Sequence, residues 1–511
     1  MAGMSVACTL MCVRRNLMFI ILALILIIVG VIFLAYGAAN YEEKSTDKKT
    51  EEERYGVVID AGGSGTRLVI YKYSPQTNTL KDVNFKKCED NGLGTYKVSE
   101  FPELKKTIKK CLDDADRMIP IEKDVPIFLG ATAGMRLLKL RAQPVFDQIW
   151  TMLNDTLKES NFKVMMSQTI TGTQEAQWAW LAANYIKKTL KASDSTFGII
   201  DFGSSSIQLA FTPSGDKSKL DTFNIDAENM TIYGHSYLCY GKREMERRFL
   251  AKLVTDASFN STVQNPCFFS GYKKNYSSSF LWASPCSSGP YAKDKLGSEY
   301  PGPADKNRTY TLQGTGNSSQ CLNVIQSLIK TTCSSGDCGM NDVFQPKVEG
   351  KFLALTVFRY AADFMSISST ASRQVLKNAT EKTCATNWKE ISSRDIPGTP
   401  VKYRGSRCFD AWYSYFLLTD GFKFDDASWK LEYVNKVNGQ KLQWSLGLMY
   451  MKKDNMFKNI RSYILQKITR KQGMLGLAVF GALLLVIGII ILIIAIICRR
   501  KKGQLPVSGE E

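Results

Sequence analysis

Hydrophobic patterning divides the chain into three regimes. Leu17 to Tyr36 and Met474 to Cys498 are uncharged apolar runs with no polar face, each long enough to cross roughly 30 Å of hydrocarbon as a helix. Between them, short apolar runs alternate with amphipathic segments: Val57-Val58-Ile59, Leu68 to Tyr71, a helical period through Phe101, Leu104, Ile108, Leu112, Ala115 and Met118, then Val125 to Leu129. Strands recurring between amphipathic helices predict an α/β fold. Asn40 to Arg54 is charged and poor in apolar residues, as in a solvated stalk. Near the other end Met456, Ile460, Ile464 and Ile468 recur every four residues among Lys and Arg. They predict a basic amphipathic helix, or a plain helical stalk, leading into the second apolar run.

The two runs read as membrane spans. A cleaved signal sequence is the alternative for the first, but it lacks a short apolar core followed by small residues at a cleavage site. Arg14 and Arg15 precede the first span and Arg499, Arg500, Lys501 and Lys502 follow the second, which places both termini in the cytoplasm. Lys467, Arg470 and Lys471 blunt that asymmetry, so the central segment must supply the orientation. It carries seven glycosylation acceptors, Asn154, Asn229, Asn260, Asn275, Asn307, Asn317 and Asn378, and ten of the chain's thirteen cysteines. An even cysteine count among sequons fits an oxidising, extracellular or luminal compartment. Cys8, Cys12 and Cys498 lie at the cytoplasmic edges, as acylation sites or as plain thiols.

The 511 residues, 44% hydrophobic, are enough for one large or two moderate domains. The formal charge of +18 is scattered and partly belongs to the membrane flanks, and no nucleic-acid motif accompanies it. A mildly anion-attracting surface, with no nucleic acid as partner, is the expectation.

A weak internal repeat carries the chemistry. Val57-Val58-Ile59-Asp60-Ala61-Gly62-Gly63-Ser64-Gly65-Thr66 is echoed by Gly198-Ile199-Ile200-Asp201-Phe202-Gly203-Ser204-Ser205-Ser206, and each copy is followed by a second apolar strand. Both read as strand, Asp, small-residue turn, strand. Gly and Ser let several backbone amides approach one oxyanion. An Asp at each strand end adds a carboxylate suited to a hydrated hard cation, Mg²⁺ or Ca²⁺. One such turn is most simply an ordinary hairpin, whereas two matched copies, each led by Asp, point to a divided phosphate site with Asp60 and Asp201 as the metal-shell candidates. The lone histidine, His235, leaves little room for a Ser-His-Asp triad, an HExxH metal site or zinc at Cys333 to Cys338, and is expected to pack near Cys239. A carboxylate must then activate water. Glu175 follows a Thr-Gly turn and opens an Ala/Trp-rich helix to Lys188; on its own it reads as a residue favoured by the helix dipole.

Five segments, Asp60 to Thr66, Gly130 to Arg136, Ile170 to Glu175, Asp201 to Gln208 and Trp444 to Gly447, resemble the motifs of the ecto-nucleoside triphosphate diphosphohydrolase, or apyrase, family, and the double anchor resembles its cell-surface branch. The resemblance implies a two-lobed, duplicated ribonuclease-H-like ectodomain of the actin and hexokinase type, flanked by two transmembrane helices. It implies that Glu175 is the base, that Ser206 and Gln208 position water and metal, and that Trp444 stands beside the metal's water shell. Gly63, Ser64, Gly65, Thr66, Thr132, Gly203, Ser204 and Ser205 would hold phosphate. Tyr360 would stack on the base, although it and Trp444 are otherwise most simply core aromatics. Spacing alone leaves every cysteine connectivity open; the resemblance pairs Cys88 with Cys111, Cys239 with Cys286, Cys267 with Cys321, Cys333 with Cys338 and Cys384 with Cys408.

The expected organisation is a cytoplasmic segment 1–16, a span 17–36, a stalk 37–54, lobe I over 55–170, lobe II over 171–434, a return to lobe I over 435–455, a stalk 456–473, a span 474–498 and a tail 499–511. The activity implied is hydrolysis of nucleoside tri- and diphosphates to the monophosphate by metal-assisted, in-line attack of water, at the plasma membrane or in a Golgi or other luminal membrane. Homo-oligomers through the spans are a further expectation. Some residues depart from the family pattern: Gly65 stands where the cell-surface branch has His, Ser204 where it has a second Gly, Ala176 where it has Gly, and Gln177-Trp178-Ala179 differs too. These departures keep one rival in view, a catalytically weak surface receptor or adhesion protein on the same fold, and the duplicated phosphate loops leave a second, a sugar kinase or polyphosphate hydrolase, which the two spans and the glycosylation acceptors disfavour.

Overall fold

The computed structural model describes residues 2–42, 54–74, 77, 79–120, 125–190, 195–215, 218, 220–225, 228–297, 299–334 and 336–502. The chain forms two compact units, Met1–Glu53 with Asp454–Glu511, and Arg54–Lys453.

In the first unit, α1 (Ala2–Glu42) and the end of the helix Trp444–Lys502 contain two segments long and apolar enough to cross a membrane, Leu17–Ala38 and Leu475–Ile497. Most of their side chains face outward, which is the exposure expected of lipid-facing helices. The two pack through small residues. A Cβ on Gly30 would lie 2.8 Å from the Gly481 carbonyl oxygen, one on Gly37 would meet Ala478, and one on Gly488 would meet Ala23 and Ile27; such residues let backbones approach where no hydrophobic force drives helices together. Helix α1 continues past Tyr36 to Glu42, so the start of the expected stalk is helical, and 43–53 lie outside the described residues. The side chains of 454–472 also lie outside them, and with them the amphipathic face expected near Ile460.

The second unit holds the duplication. Strands β1 (Arg54–Gly62), β2 (Gly65–Ser74), β3 (Thr79–Glu89), β4 (Pro126–Ala131) and β5 (Lys163–Thr169) form a sheet ordered β3-β2-β1-β4-β5. The first three are antiparallel, and β4 and β5 run parallel to β1. Farther along lie β6 (Phe197–Phe202), β7 (Ser206–Phe211), β8 (Asp221–Ile225) and β9 (Glu228–Leu238), then a small three-stranded sheet of β10 (Thr262–Asn265), β11 (Lys273–Ser277) and β12 (Thr309–Gly314). With β13 (Lys351–Thr356) and β14 (Leu431–Val434), the larger set forms the order β14-β13-β6-β7-β9-β8. Its β9-β7-β6-β13-β14 portion repeats the first sheet strand for strand and direction for direction.

Each sheet carries helices. Phe101, Leu104, Ile108, Leu112 and Ala115 bury one face of α2 (Phe101–Met118), while Met118 is about half exposed, so the expected stripe ends one residue set earlier. Helices α3 (Ala133–Arg141) and α4 (Gln143–Lys158) complete the first lobe. Helix α5 (Gly172–Lys187) packs across β6, β7 and β9, and α6 (Lys242–Asp256) follows β9. Residues 443–450 touch both lobes: Tyr71 and Ser445 share a 2.7 Å hydrogen bond, Trp178 packs on Trp444 and Tyr185 on Tyr450. The expected return to lobe I is thus also a contact with lobe II.

The ten central cysteines form five disulfides, Cys88–Cys111, Cys239–Cys286, Cys267–Cys321, Cys333–Cys338 and Cys384–Cys408. The sequon side chains of Asn260, Asn275, Asn307, Asn317 and Asn378 are exposed. Asn154 is half-buried and accepts a 2.6 Å hydrogen bond from Ser167, and the side chain of Asn229 lies outside the described residues.

Candidate active site

The two hairpins meet. In the first, Gly62 pairs with Gly65, leaving Gly63 and Ser64 as the turn; in the second, Gly203, Ser204 and Ser205 connect Phe202 to Ser206. A Cβ built on Gly63 would lie 2.5 Å from Ser205 Oγ and 3.7 Å from Ser204 Cβ, so the turns confront each other at contact distance. Behind each, another glycine permits the approach: a Cβ on Gly92 would fall 2.3 Å from the Gly63 carbonyl oxygen, and one on Gly241 2.4 Å from the Ser205 and Ser206 nitrogens. Among the described residues, the amides of Gly63, Ser64, Ser204 and Ser205 have no hydrogen-bond acceptor. Four unpaired amides in two opposed turns make a concavity matched to oxyanions.

A cavity of about 590 Å³ opens beside them, a size usual for small-ligand sites. Asp60, Gly63, Ser64, Thr132, Glu175, Asp201, Gly203, Ser204, Ser205, Ser206, Tyr360 and Trp444 all line it. Three expected members do not. Thr66 is fully buried and pairs across from Ala61, on the opposite pleat from Asp60; Gly65 lies against the Glu89 carbonyl oxygen with φ of 148°. Gln208 lies behind the wall, its amide donating to Ser206 Oγ at 2.7 Å and Ser236 Oγ at 2.8 Å. It therefore orients a serine that lines the cavity.

The carboxylates sit deep. Burial raises Asp60, opposed by Arg67, by the Trp444 indole N–H and by Lys441. Burial likewise lifts Asp201 to about 6, opposed by a 3.2 Å hydrogen bond from Thr356 and reinforced by the charge of Asp60. Asp60 Oδ1 is buried without a hydrogen-bond partner, and Arg67 stands 3.9 Å from its other oxygen. An orphaned carboxylate oxygen across from a second carboxylate fits a divalent cation held largely by water and phosphate oxygens. No group of three or more His, Cys, Asp or Glu placed to hold a metal ion occurs among the described residues. The indole nitrogen of Trp444 is a donor, so any part it takes in a cation site runs through water; its N–H also lowers the Asp60 pKa.

Glu175 is the fourth residue of α5, which begins at Gly172, three residues before the expected start, because Thr171 and Gln174 form a capping box. This places the carboxyl inside the first turn and buries it. Burial pushes its pKa up to about 7; the ion pair with Arg136 pulls the other way, and Asp201 and Asp60 add to the rise. Thr132 stands at the N-cap position of α3 without a side-chain capping hydrogen bond, and the first turn of that helix also faces the cavity through Ala133. Tyr360 is 44% exposed, with the Arg407 guanidinium 5.9 Å from its ring centre and Tyr403 on the same wall, so it is no core aromatic, whereas Trp444 is buried against Gly130 and Trp178. His235 packs on Tyr237, 4.5 Å between ring centres, rather than serving the site, and burial lowers its pKa to about 4.

Sequence reasoning missed Arg67, Arg136, Thr356, Lys242, Arg243 and Lys441. Arg136 closes the Gly130 to Arg136 motif and Arg67 stands opposite Asp60 in the hairpin ladder, so position in the motif and strand register were the available signals. Thr356 holds φ of 61° at the end of β13, next to Asp201, which no local pattern announces.

The model of the GDA1/CD39 (nucleoside phosphatase) family matches residues 46–467. Ectonucleoside triphosphate diphosphohydrolase 2 of Gallus gallus is 31% identical over 462 residues, 85% of this chain and 89% of that protein. Ectonucleoside triphosphate diphosphohydrolase 1 of Mus musculus is 30% identical over 425 residues, 78% of this chain and 81% of its own. The crystal structure of nucleoside triphosphate hydrolases from Neospora caninum superposes on 81% of this chain and 95% of that chain with a TM-score of 0.56 at 15% identity, a likeness of fold.

Proposed function

The chain belongs to the GDA1/CD39 (nucleoside phosphatase) family, and on that footing we propose that it hydrolyses the terminal phosphates of nucleoside tri- and diphosphates to the monophosphate, by in-line attack of a water activated by Glu175. The observation that carries this reading is the opposition of Gly63 and Ser205, which sets four unpaired amides around a cavity whose wall holds a buried, proton-accepting carboxyl.

The amides of Gly63 and Ser64 on one side, and of Ser204 and Ser205 on the other, bind the phosphate oxygens and stabilise charge where it develops. Glu175 takes the proton of the attacking water, and Ser206, fixed by Gln208, orients that water toward phosphorus. Asp60 and Asp201, with Trp444 beside them, would hold a divalent cation, Ca²⁺ or Mg²⁺. When bound, the cation neutralises phosphate charge. Thr132 and the N-terminus of α3 add a dipole favourable to anions. Tyr360 stacks on the nucleobase, with the Arg407 guanidinium close to its ring. Two membrane spans, both termini cytoplasmic and a glycosylated unit outside at the plasma membrane complete the proposal; the five disulfides suit that compartment.

The test is Glu175→Gln in the full chain. Orthophosphate release from ATP and ADP should fall by about 10²- to 10⁴-fold while nucleotide binding persists. Turnover at the wild-type rate rejects Glu175 as the base, and loss of binding with it would make the residue structural.

A further inference from the structure

A second cavity, about 380 Å³, adjoins the first and shares Gly63, Ser205 and Arg243 with it. Its own wall is basic. Lys97 and Arg141 come from the first lobe, and Arg243 and Arg247 from α6 of the second. The one carboxylate among its lining residues, Glu244, is saturated: Arg247 Nη1 reaches its two oxygens at 2.8 and 2.7 Å, and Ser284 Oγ donates to it as well. Arg141 spends one nitrogen on the Gly94 carbonyl oxygen at 2.9 Å. The Arg243 side chain has no hydrogen-bond or ion-pair partner among the described residues. Arg247 is 7% exposed, and its Nε is buried with no acceptor. Burial and the neighbouring Arg247 charge both hold Arg141 and Arg243 below the usual guanidinium range.

Glu244 neutralises Arg247, which leaves exposed Lys97 and Arg141 and half-buried Arg243 converging on the cavity without a carboxylate of their own among its lining residues. Converging cations raise the local concentration of anions, and planar guanidiniums match phosphoryl oxygens two at a time. From this convergence we infer that the second cavity is an oxyanion subsite that takes up the orthophosphate released at the turns. The inference rests on the reading of the two turns as the phosphate site. The orthophosphate would pass from the turns along Arg243, which lines both cavities.

The experiment uses the full chain in detergent and inorganic orthophosphate as probe, with Arg141→Gln combined with Lys97→Gln. Neither residue lines the first cavity. Calorimetric titration of the wild type should show two classes of site, one of which weakens at least tenfold in the double variant, with kcat/KM for ATP at low phosphate within twofold of wild type. Ala283→Glu, on an exposed wall position, places a carboxylate among the guanidiniums and should abolish the same class without removing any cation. Identical isotherms in all three proteins overturn the subsite. A wild type with a single class that the double variant removes would instead keep the subsite and sink the reading of the turns. Kinetics test the path: product inhibition by orthophosphate should weaken in the double variant, and unchanged product inhibition would overturn the passage of product through this cavity.

Discussion

Gly63 and Ser205 face each other across the junction of two lobes with no room for one added carbon: a Cβ on Gly63 would stand 2.5 Å from Ser205 Oγ and 3.4 Å from Ser205 Cβ. The contact joins the two copies of a single local pattern, and it is where the divided phosphate site becomes one site.

Gly63→Ala therefore tests the junction directly. The clash is with a hydroxyl that can rotate, so the fold should tolerate it, but the serine is displaced from the wall of the cavity. A displacement near 1 Å at a reacting centre costs about 10²-fold in rate, and kcat/KM for ATP should fall on that order with a thermal midpoint within a few degrees of wild type. Gly241→Ala is the contrast. Its Cβ would strike backbone atoms of Ser204, Ser205 and Ser206 at 2.4 Å, and overpacking against backbone should cost about 1–3 kcal/mol in addition to activity. Equal behaviour of the two variants would mean that the Gly63 contact is packing alone.

Arg136 sets the working pH of Glu175. With the ion pair present the carboxyl still stands at about 7, and the guanidinium is the largest influence lowering it. A base must be ionised, so kcat/KM should decline on the acid side, at a pH below the metal-free value of about 7 because a cation at Asp60 and Asp201 offsets the charges that raise Glu175. Arg136→Gln removes the lowering charge, which should move this acid limb upward by about one pH unit or more, depressing the rate at pH 7 with recovery near pH 9. His235, held near 4 by burial, is already neutral across this range and contributes no inflection. A limb that stays in place in Arg136→Gln would assign the titration to another group.

Much of this site was legible because its chemistry is local. A strand ending in Asp and a turn of Gly and Ser predicts itself from a dozen residues, and recurrence of the pattern announced two matched hairpins; the duplicated fold followed from the family resemblance, and the two sheets match over five strands in order and direction. The pleat was harder to read. Thr66 belongs to the turn motif, yet it alternates to the face opposite Asp60 and Arg67 and is buried there. Gln208, directly across from Asp201, faces the right way but spends its amide on two serines. Arg136 and Thr356 act through contacts 39 and 155 residues away, distances over which no periodicity operates. The second basic cavity drew cations from α3 and α6, each unremarkable on its own helix. Its charge exists only once the lobes are assembled.

The disulfides should differ in worth by loop length. Cys267–Cys321 closes 54 residues and both cysteines are fully buried, whereas Cys333–Cys338 closes 5, with Cys333 exposed. Loop-closure entropy assigns about 4 kcal/mol to the first and about 2 kcal/mol to the second. Paired Cys→Ala substitutions should thus lower the thermal midpoint clearly more at 267 and 321. A larger loss at 333 and 338 would show that the short loop orders something beyond itself.

Stability itself should report the cost of burying Glu175. Its pKa rises from 4.5 to about 7 on folding, so the folded state binds the proton more tightly than the unfolded chain. For a carboxyl raised in this way, stability is greatest below the unfolded value and is lost as pH climbs through the folded one. Between about pH 4.5 and 7 the loss amounts to about 3 kcal/mol for this group. Other residues add their own slopes, so the comparison is with Glu175→Gln, which removes the titration and keeps the shape. In metal-free protein the variant should gain on the wild type steadily from pH 5 to pH 8, and Mg²⁺ or Ca²⁺, by drawing negative charge from Asp60 and Asp201, should shrink that gain. Thermal midpoints of the two proteins that run parallel over this range would place the carboxyl in contact with water, and an acid so placed has no reason to hold its proton near neutrality.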